Sequence, residues 1–330
     1  MYDLLQKNYK VHGTVREDTP EKTEHLYNFP NASSNLKLFE ADLLQPGSFD
    51  TALQGCQVAF HVASPYKLQV DHPQKELVDP ALKGTQNFLE SCKKTQGLTK
   101  VVATSSVAAI TDEGRRNKKK YTEADWNNKS SLRRLPYYYS KTVAEKYIWQ
   151  FAKENKDEIE IVVINPFMVI GPSHIKRINE SVKLLIDIAK GELPGIMNLT
   201  FTFVDVRDVS KAHILAMEND KSEGRNICAA EPAVSMKETV EIMRKEGFNA
   251  NTMDFRNPIM SRMVRGMSHV VPGGANGQYV RNNLGMPLLV VNEKIKKELG
   301  MQFRDPKETL KDTLEDLVKW GHLEKNLETA

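Results

Sequence analysis

Five short apolar runs rich in β-branched residues mark the first half of the chain: "KVHGTV", "NLKLFEAD", "QVAFHVAS", "KVVATSS" and "IEIVVINP". They are nearly continuous in apolar character, as strands covered on both faces are. Between them lie stretches with helical spacing, "GSFDTAL", "HPQKELVDPALKGTQNFLESCKK" and "YSKTVAEKYIWQFAKEN". Doubly covered strands alternating with helices predict an α/β fold with a doubly wound parallel sheet. The alternation weakens after Pro166, although "FTFVDVRDVSKAHILAME" still reads as strand then helix. From Glu231 onward the pattern is mostly helical, with irregular glycine-rich pieces such as "VPGGANGQYV". The division expected is a larger domain over residues 1–166 and a smaller, mostly helical lobe over 167–330, with 200–218 packing back onto the first.

Composition narrows the class. A chain of 330 residues, 40% hydrophobic and 27% charged, reads as a packed globular protein of enzyme size. Its net charge of +3 is too small to suggest a nucleic-acid partner. No apolar run approaches the ~20 residues of a membrane span. No charged segment followed by an apolar core reads as a secretory signal. Cys56, Cys92 and Cys228 are odd in number and far apart, which fits reduced buried thiols in a cytoplasmic protein. The eight histidines have no metal spacing.

In doubly wound sheets, ligands sit beyond the carboxyl ends of the strands. The first predicted strand ends at Arg16, with Lys22 close by, and the second at Asp42 and Leu43. The third is followed by Ala63 and Ser64, the fourth by Thr104, Ser105 and Ser106, and the fifth by Pro166. Any one of these is an ordinary loop residue; together they line one rim. The sharpest signal is "PYYYSKTVAEKY". Tyr137 and Lys141 are four apart at a helix start, so they share one face. A lysine near a tyrosine is expected to draw the phenol down from its usual pKa of about 10. That makes a proton donor and acceptor for a carbonyl–alcohol interconversion. Ser106, from another strand end, is the candidate to polarise the same oxygen. The spacing alone arises by chance in a chain with ten tyrosines. The upstream Ser-Ser and the following strand ending in proline set this one apart.

The segments "VHGTVRE", "ADLLQPGSFDTALQGCQVAFHVASP", "PALKGTQNFLESC", "VVATSSVAAI", "YYYSKTVAEK", "INPFMVIGP" and "FVDVRDVSKAHI" come in a familiar order. Through them the chain resembles the extended short-chain dehydrogenase/reductases. It is most similar to the branch of dihydroflavonol 4-reductases, cinnamoyl-CoA reductases and methylglyoxal reductases. The likeness runs from the first residue to about Met217. It implies a Rossmann fold, NADPH as cofactor, a small-molecule carbonyl substrate and a monomer or homodimer. By this resemblance Tyr137 is the general acid, Lys141 holds the nicotinamide ribose, and Ser106 is the catalytic serine, with Ser105 as the neighbouring alternative. Arg16 resembles the arginine that pairs with the 2′-phosphate of NADP, where an NAD site would want an acid. Lys22 is a second contact or a solvated helix lysine. Asp42 and Leu43 resemble the adenine-contacting pair. Thr104, Ala63 and Ser64 line the cofactor path, and Pro166 to Val169 resemble the segment over the nicotinamide. Against this reductase reading stands a nucleotide-sugar epimerase or an inactive nucleotide-binding homologue of the same fold.

The family opens with a strand and a glycine-rich turn, and the sequence here begins after both. "MYDLLQKNYK" reads as the tail of a helix and a turn. A missing mid-sheet strand would leave buried unpaired backbone groups at roughly 1–3 kcal/mol each, against a total stability of ~5–15 kcal/mol. The expectation is therefore that roughly 20 residues, a strand, a turn and half a helix, precede Met1 in the natural protein. "PGGANG" at Pro272–Gly277 follows no suitable strand and reads as a surface turn. "DEGRRNKKKYTEADW" reads as a solvated charged loop. "ESVKLLIDIAKGELP" reads as a helix facing either the cleft or the lobe core, and Met260, Met263 and Met267 read as core or as the lining of a tolerant apolar pocket.

Overall fold

The computed structural model describes residues 1–64, 66, 70–114, 120–267 and 280–326. The chain begins α1 (Tyr2–Gln6), β1 (Val11–Val15), α2 (Pro20–Tyr27), α3 (Ala32–Asn35), β2 (Leu36–Glu40), α4 (Asp50–Leu53) and β3 (Val58–His61). It continues α5 (Asp79–Lys94), β4 (Lys100–Thr104), α6 (Pro136–Glu154), β5 (Glu160–Pro166), β6 (Met168–Ile170), α7 (Glu180–Ala189), β7 (Thr200–Phe201) and β8 (Phe203–Asp205). Then come α8 (Val206–Glu218), β9 (Gly224–Cys228), β10 (Val234–Ser235), α9 (Met236–Lys245), α10 (Pro258–Met267), α11 (Glu293–Leu299) and α12 (Pro306–Lys319).

Strands β3, β4, β5 and β9 form a four-stranded sheet in that order, parallel throughout. β1 and β2 form a separate parallel pair, with Val11 opposite Leu36 and Val15 opposite Glu40. The parallel strands thus stand in two pieces, with no ladder between β1 and β3. β6 pairs with β8 in parallel, and β10 with β7 antiparallel.

The continuous apolar runs have their cause in the burial of the central strands. On one face of the sheet, Val101, Ala103 and Val163 pack with Phe88 and Leu89 of α5 and Ile148 and Phe151 of α6. On the other, Val102, Val162 and Ile164 pack with Ala212 and Ala216 of α8 and Ile295 and Leu299 of α11. A strand with both neighbours and both faces covered has no polar side to alternate with. A further core joins α7, α9 and α12 through Leu185, Ile188, Val240, Leu310 and Leu314, which places the apolar face of "ESVKLLIDIAK" in this core. No helix among the described residues is long and apolar enough to cross a membrane.

Two sequence expectations need correction. Residues 115–119 of the charged segment after β4 lie outside the described residues, and the parts on either side of them are not simply solvated. Asp112 is buried under Arg134, Tyr121 is buried, and Trp126 lies against the guanidinium of Arg225 at 4.0 Å. Its aromatic and paired residues fold inward although its composition is polar. Of the methionines of α10, Met260 is half-buried and Met263 exposed, so these two are not core, and the side chain of Met267 lies outside the described residues. The "PGGANG" turn lies outside the described residues.

Candidate functional site

The site is built where β4 ends and α6 begins. β4 closes at Thr104, and Ser106 then caps a short helical turn by accepting the Ala108 N–H at 3.1 Å. α6 opens on Pro136 at its first turn, where the missing N–H costs nothing. Leu135, before the proline, has φ +49°, a left-handed conformation uncommon for leucine. It is fully buried, so packing holds the chain in that bend. The bend aims the first turn of α6 at the end of β4. Tyr137 and Ser106 face each other there, close enough for the Ser106 hydroxyl to favour the phenolate, and the Lys141 ammonium lies 5.9 Å from the Tyr137 ring centroid. Ser106 and Tyr137, from two different elements, are thus brought together at one place.

Electrostatics depart from the expectation. Burial pushes the Tyr137 phenol well above its ordinary range, the nearby Tyr66 adds to this, and the Ser106 hydroxyl opposes it. Burial also draws Lys141 down to about 8, with Glu145 working against that fall. The expected lowering of Tyr137 by Lys141 is therefore not found. A low-dielectric site penalises the phenolate more than this lysine stabilises it. Tyr137 is a neutral phenol at neutral pH, the form that gives a proton.

The other predicted residues are placed as follows. Thr104 shares a 2.6 Å hydrogen bond with Nε2 of the buried His213, whose Nδ1 bonds the Val209 carbonyl at 2.8 Å. Arg16 stands exposed at the tip of β1. Lys22 is ion-paired with Glu17 at the start of α2. Asp42 is exposed, and its carboxylate accepts the Leu44 N–H at 2.7 Å. Leu43 packs on Gly84 of α5, where an added Cβ would come within 3.1 Å of the leucine side chain. Ala63 is exposed, Pro166 is buried, and Ser64 and Val169 line a cleft of about 1650 Å³. Tyr66 also lines this cleft, which runs between α1, α7 and the start of α8. Ser106, Tyr137 and Lys141 are not among its walls. They lie beside it, behind Tyr66, whose ring sits 4.7 Å from that of Tyr137 and whose hydroxyl is 3.3 Å from Ser181.

Three residues near the site escaped the sequence reading. Tyr66 follows "HVASP", and nothing local marks it. Glu145 is fully buried one turn beyond Lys141, and the stripe Tyr137–Lys141–Glu145 was legible as two successive steps of four. Arg225 is a buried charge inside β9, and a lone arginine in "GRNIC" was the available signal.

Comparison with known proteins agrees with this architecture. Residues 2–228 match the NAD dependent epimerase/dehydratase family. The chain is 42% identical over 250 residues to the cinnamoyl-CoA reductase CAD2 of Medicago truncatula, covering 73% of this chain and 74% of that protein. It is 34% identical over 250 residues to the bifunctional dihydroflavonol 4-reductase/flavanone 4-reductase of Malus domestica, covering 74% of this chain and 71% of that protein. The crystal structure of Gre2 from Candida albicans in complex with NADPH superposes with a TM-score of 0.78 at 30% identity, covering 96% of this chain and 94% of that one. With a parallel Rossmann-like sheet, a serine at the end of β4 and a Tyr–Lys pair opening α6, the chain belongs to the NAD dependent epimerase/dehydratase family.

Proposed function

We propose that the protein is an NADPH-dependent reductase of an aldehyde or ketone. The observation that carries this is the meeting of Ser106, at the end of β4, with the Tyr137–Lys141 pair at the start of α6, around a phenol that burial keeps protonated. Bound NADPH would supply the hydride. Tyr137 gives its proton to the carbonyl oxygen, and Ser106 holds that oxygen through its hydroxyl. Lys141 presents an ammonium on the same helix face, suited to the nicotinamide ribose hydroxyls. The donor set fits the cofactor at its other end as well. Arg16 offers a planar guanidinium at a strand tip, which matches the 2′-phosphate of NADP. The relatives named as reductases, and the NADPH complex of one neighbour, support the same reading. In this reading residues 1–166 carry the cofactor together with α8, β9 and α11, which complete and cover their sheet, and the rest of 167–330 forms the substrate lobe.

The test is NADPH consumption with a panel of aldehydes and ketones. Tyr137→Phe keeps the ring, so the fold and NADPH affinity are retained, while turnover falls by about 10² to 10⁴. Near-normal turnover in that variant would overturn the assignment and favour an epimerase or a nucleotide-binding protein. Arg16→Ala weakens NADPH far more than NADH, because only NADPH offers a phosphate to the guanidinium. Equal losses with the two cofactors would show that Arg16 does not read the phosphate.

A further inference from the structure

Beneath the Ser106–Tyr137–Lys141 group lies a buried ionic cluster to which no role has yet been given. Its centre is Glu145, fully buried on α6. One carboxylate oxygen accepts the Ser105 hydroxyl and, at 2.8 Å, the Asn165 amide. The other accepts Nε of Arg225 at 2.5 Å and the indole N–H of Trp149 at 3.2 Å. Arg225 is itself fixed. It donates to the carbonyls of Glu123 and Asp125 at 2.8 and 2.5 Å and stacks on Trp126. Four elements, β4, β5, α6 and β9, are thus tied to one carboxylate.

The connections lead to the reacting groups. Ser105 directly precedes Ser106, and Asn165 also donates to the Ser106 carbonyl at 3.3 Å. Tyr137, Lys141 and Glu145 follow one another at steps of four on one helix face. A buried ion pair is a weak source of stability, since desolvation takes back much of the Coulombic gain. Its geometry here suits positioning better than stabilisation. We propose that Glu145 is a positioning residue, which clamps the backbone of Ser106 and the Tyr137–Lys141 face of α6 into one unit and keeps a fixed negative charge one turn from Lys141. This rests on the reductase reading above.

The titratable groups recorded as facing Lys141 are Tyr137 and Glu145 on its own helix and His61 from β3. Tyr137 stays neutral, and burial keeps His61 neutral, with a pKa near 4. Glu145 is the acid of the set, so its charge is what holds the Lys141 proton on against burial. Removing that charge without changing the side-chain shape lets the lysine lose its proton earlier.

The experiment is an NMR titration of the protein grown with lysine labelled at the ε-carbon, with Lys141→Met used to identify the resonance. The wild-type midpoint is expected near 8. Glu145→Gln lowers it by about one pH unit. Carbonyl reduction falls by about tenfold or more, and its alkaline limb moves down by the same interval. An unchanged Lys141 midpoint in a variant that still unfolds cooperatively overturns the proposal. If Glu145→Gln does not fold, Glu145→Asp keeps the charge but withdraws it from Ser105 and Asn165; carbonyl reduction then falls by about tenfold while the Lys141 midpoint stays near that of the wild type, and unchanged reduction overturns the proposal. A wild-type protein that reduces no carbonyl would sink the reductase reading alone, because the Lys141 titration needs no substrate.

Discussion

Lys141 keeps its charge only up to about pH 8, because burial draws its pKa down from the ordinary lysine range. In the proposed reduction the protonated lysine is the working form, so the sign is fixed. Below that value the ammonium is present, and above it the charge is lost. Tyr137 stays protonated well past this range and does not set the limb. Turnover in the direction of carbonyl reduction should therefore be flat below about pH 8 and fall by up to tenfold per unit above it. Initial rates at saturating NADPH and substrate check this, and a plateau reaching past about pH 10, the ordinary lysine range, would contradict it. Tyr137, Lys141 and Ser106 were legible because their chemistry is carried by local spacing and by position at a strand end. The direction of the Tyr137 shift was not, since it depends on how much protein surrounds the hydroxyl. Nor was Tyr66, which reaches Tyr137 only through the folded path of the chain after β3.

Elements with two covered faces announce themselves, and β3, β4 and β5 fall inside the runs "QVAFHVAS", "KVVATSS" and "IEIVVINP". α6 starts at Pro136, where the motif places it. The segment between β4 and α6 was harder to read. Its burial comes from pairings with Arg225 and Glu231, about a hundred residues away, as in the separation of 102 between Glu123 and Arg225. The contact of α5 with the loop after β2 gives an element-scale prediction. Gly84 admits Leu43 so closely that a Cβ would stand 3.1 Å from its side chain. Gly84→Ala favours the helix by up to ~1 kcal/mol, while overpacking costs typically 1–3 kcal/mol. The displaced Leu43, on the proposed adenine surface, should weaken NADPH about threefold or more with little net change in Tm. A fluorescence titration with an unchanged Kd would remove Leu43 from that surface.

At the scale of the whole molecule, His61 makes stability depend on acid pH. Its Nε2 lies 3.1 Å from the Thr85 hydroxyl and its ring stacks on Phe88 at 4.7 Å, joining β3 to α5. Burial lowers its pKa from 6.5 to about 4. The native state keeps His61 neutral, while the unfolded chain takes up a proton below 6.5. Stability is therefore lost as pH falls from 6.5 toward 4, by about 3 kcal/mol from this residue. Urea midpoints across this range should fall with pH, and His61→Gln should flatten that fall. An equal slope in the variant would place the acid sensitivity elsewhere. The cluster around Glu145 has a different consequence for the molecule as a whole. The chain has three tryptophans. Trp126 lies under Arg225 and Trp149 donates to Glu145, whereas Trp320 sits beside Lys319 on α12. Two of the three intrinsic emitters thus touch the same buried ion pair. Their spectrum is an unlabelled optical gauge of whether the floor of the site is intact, independent of turnover.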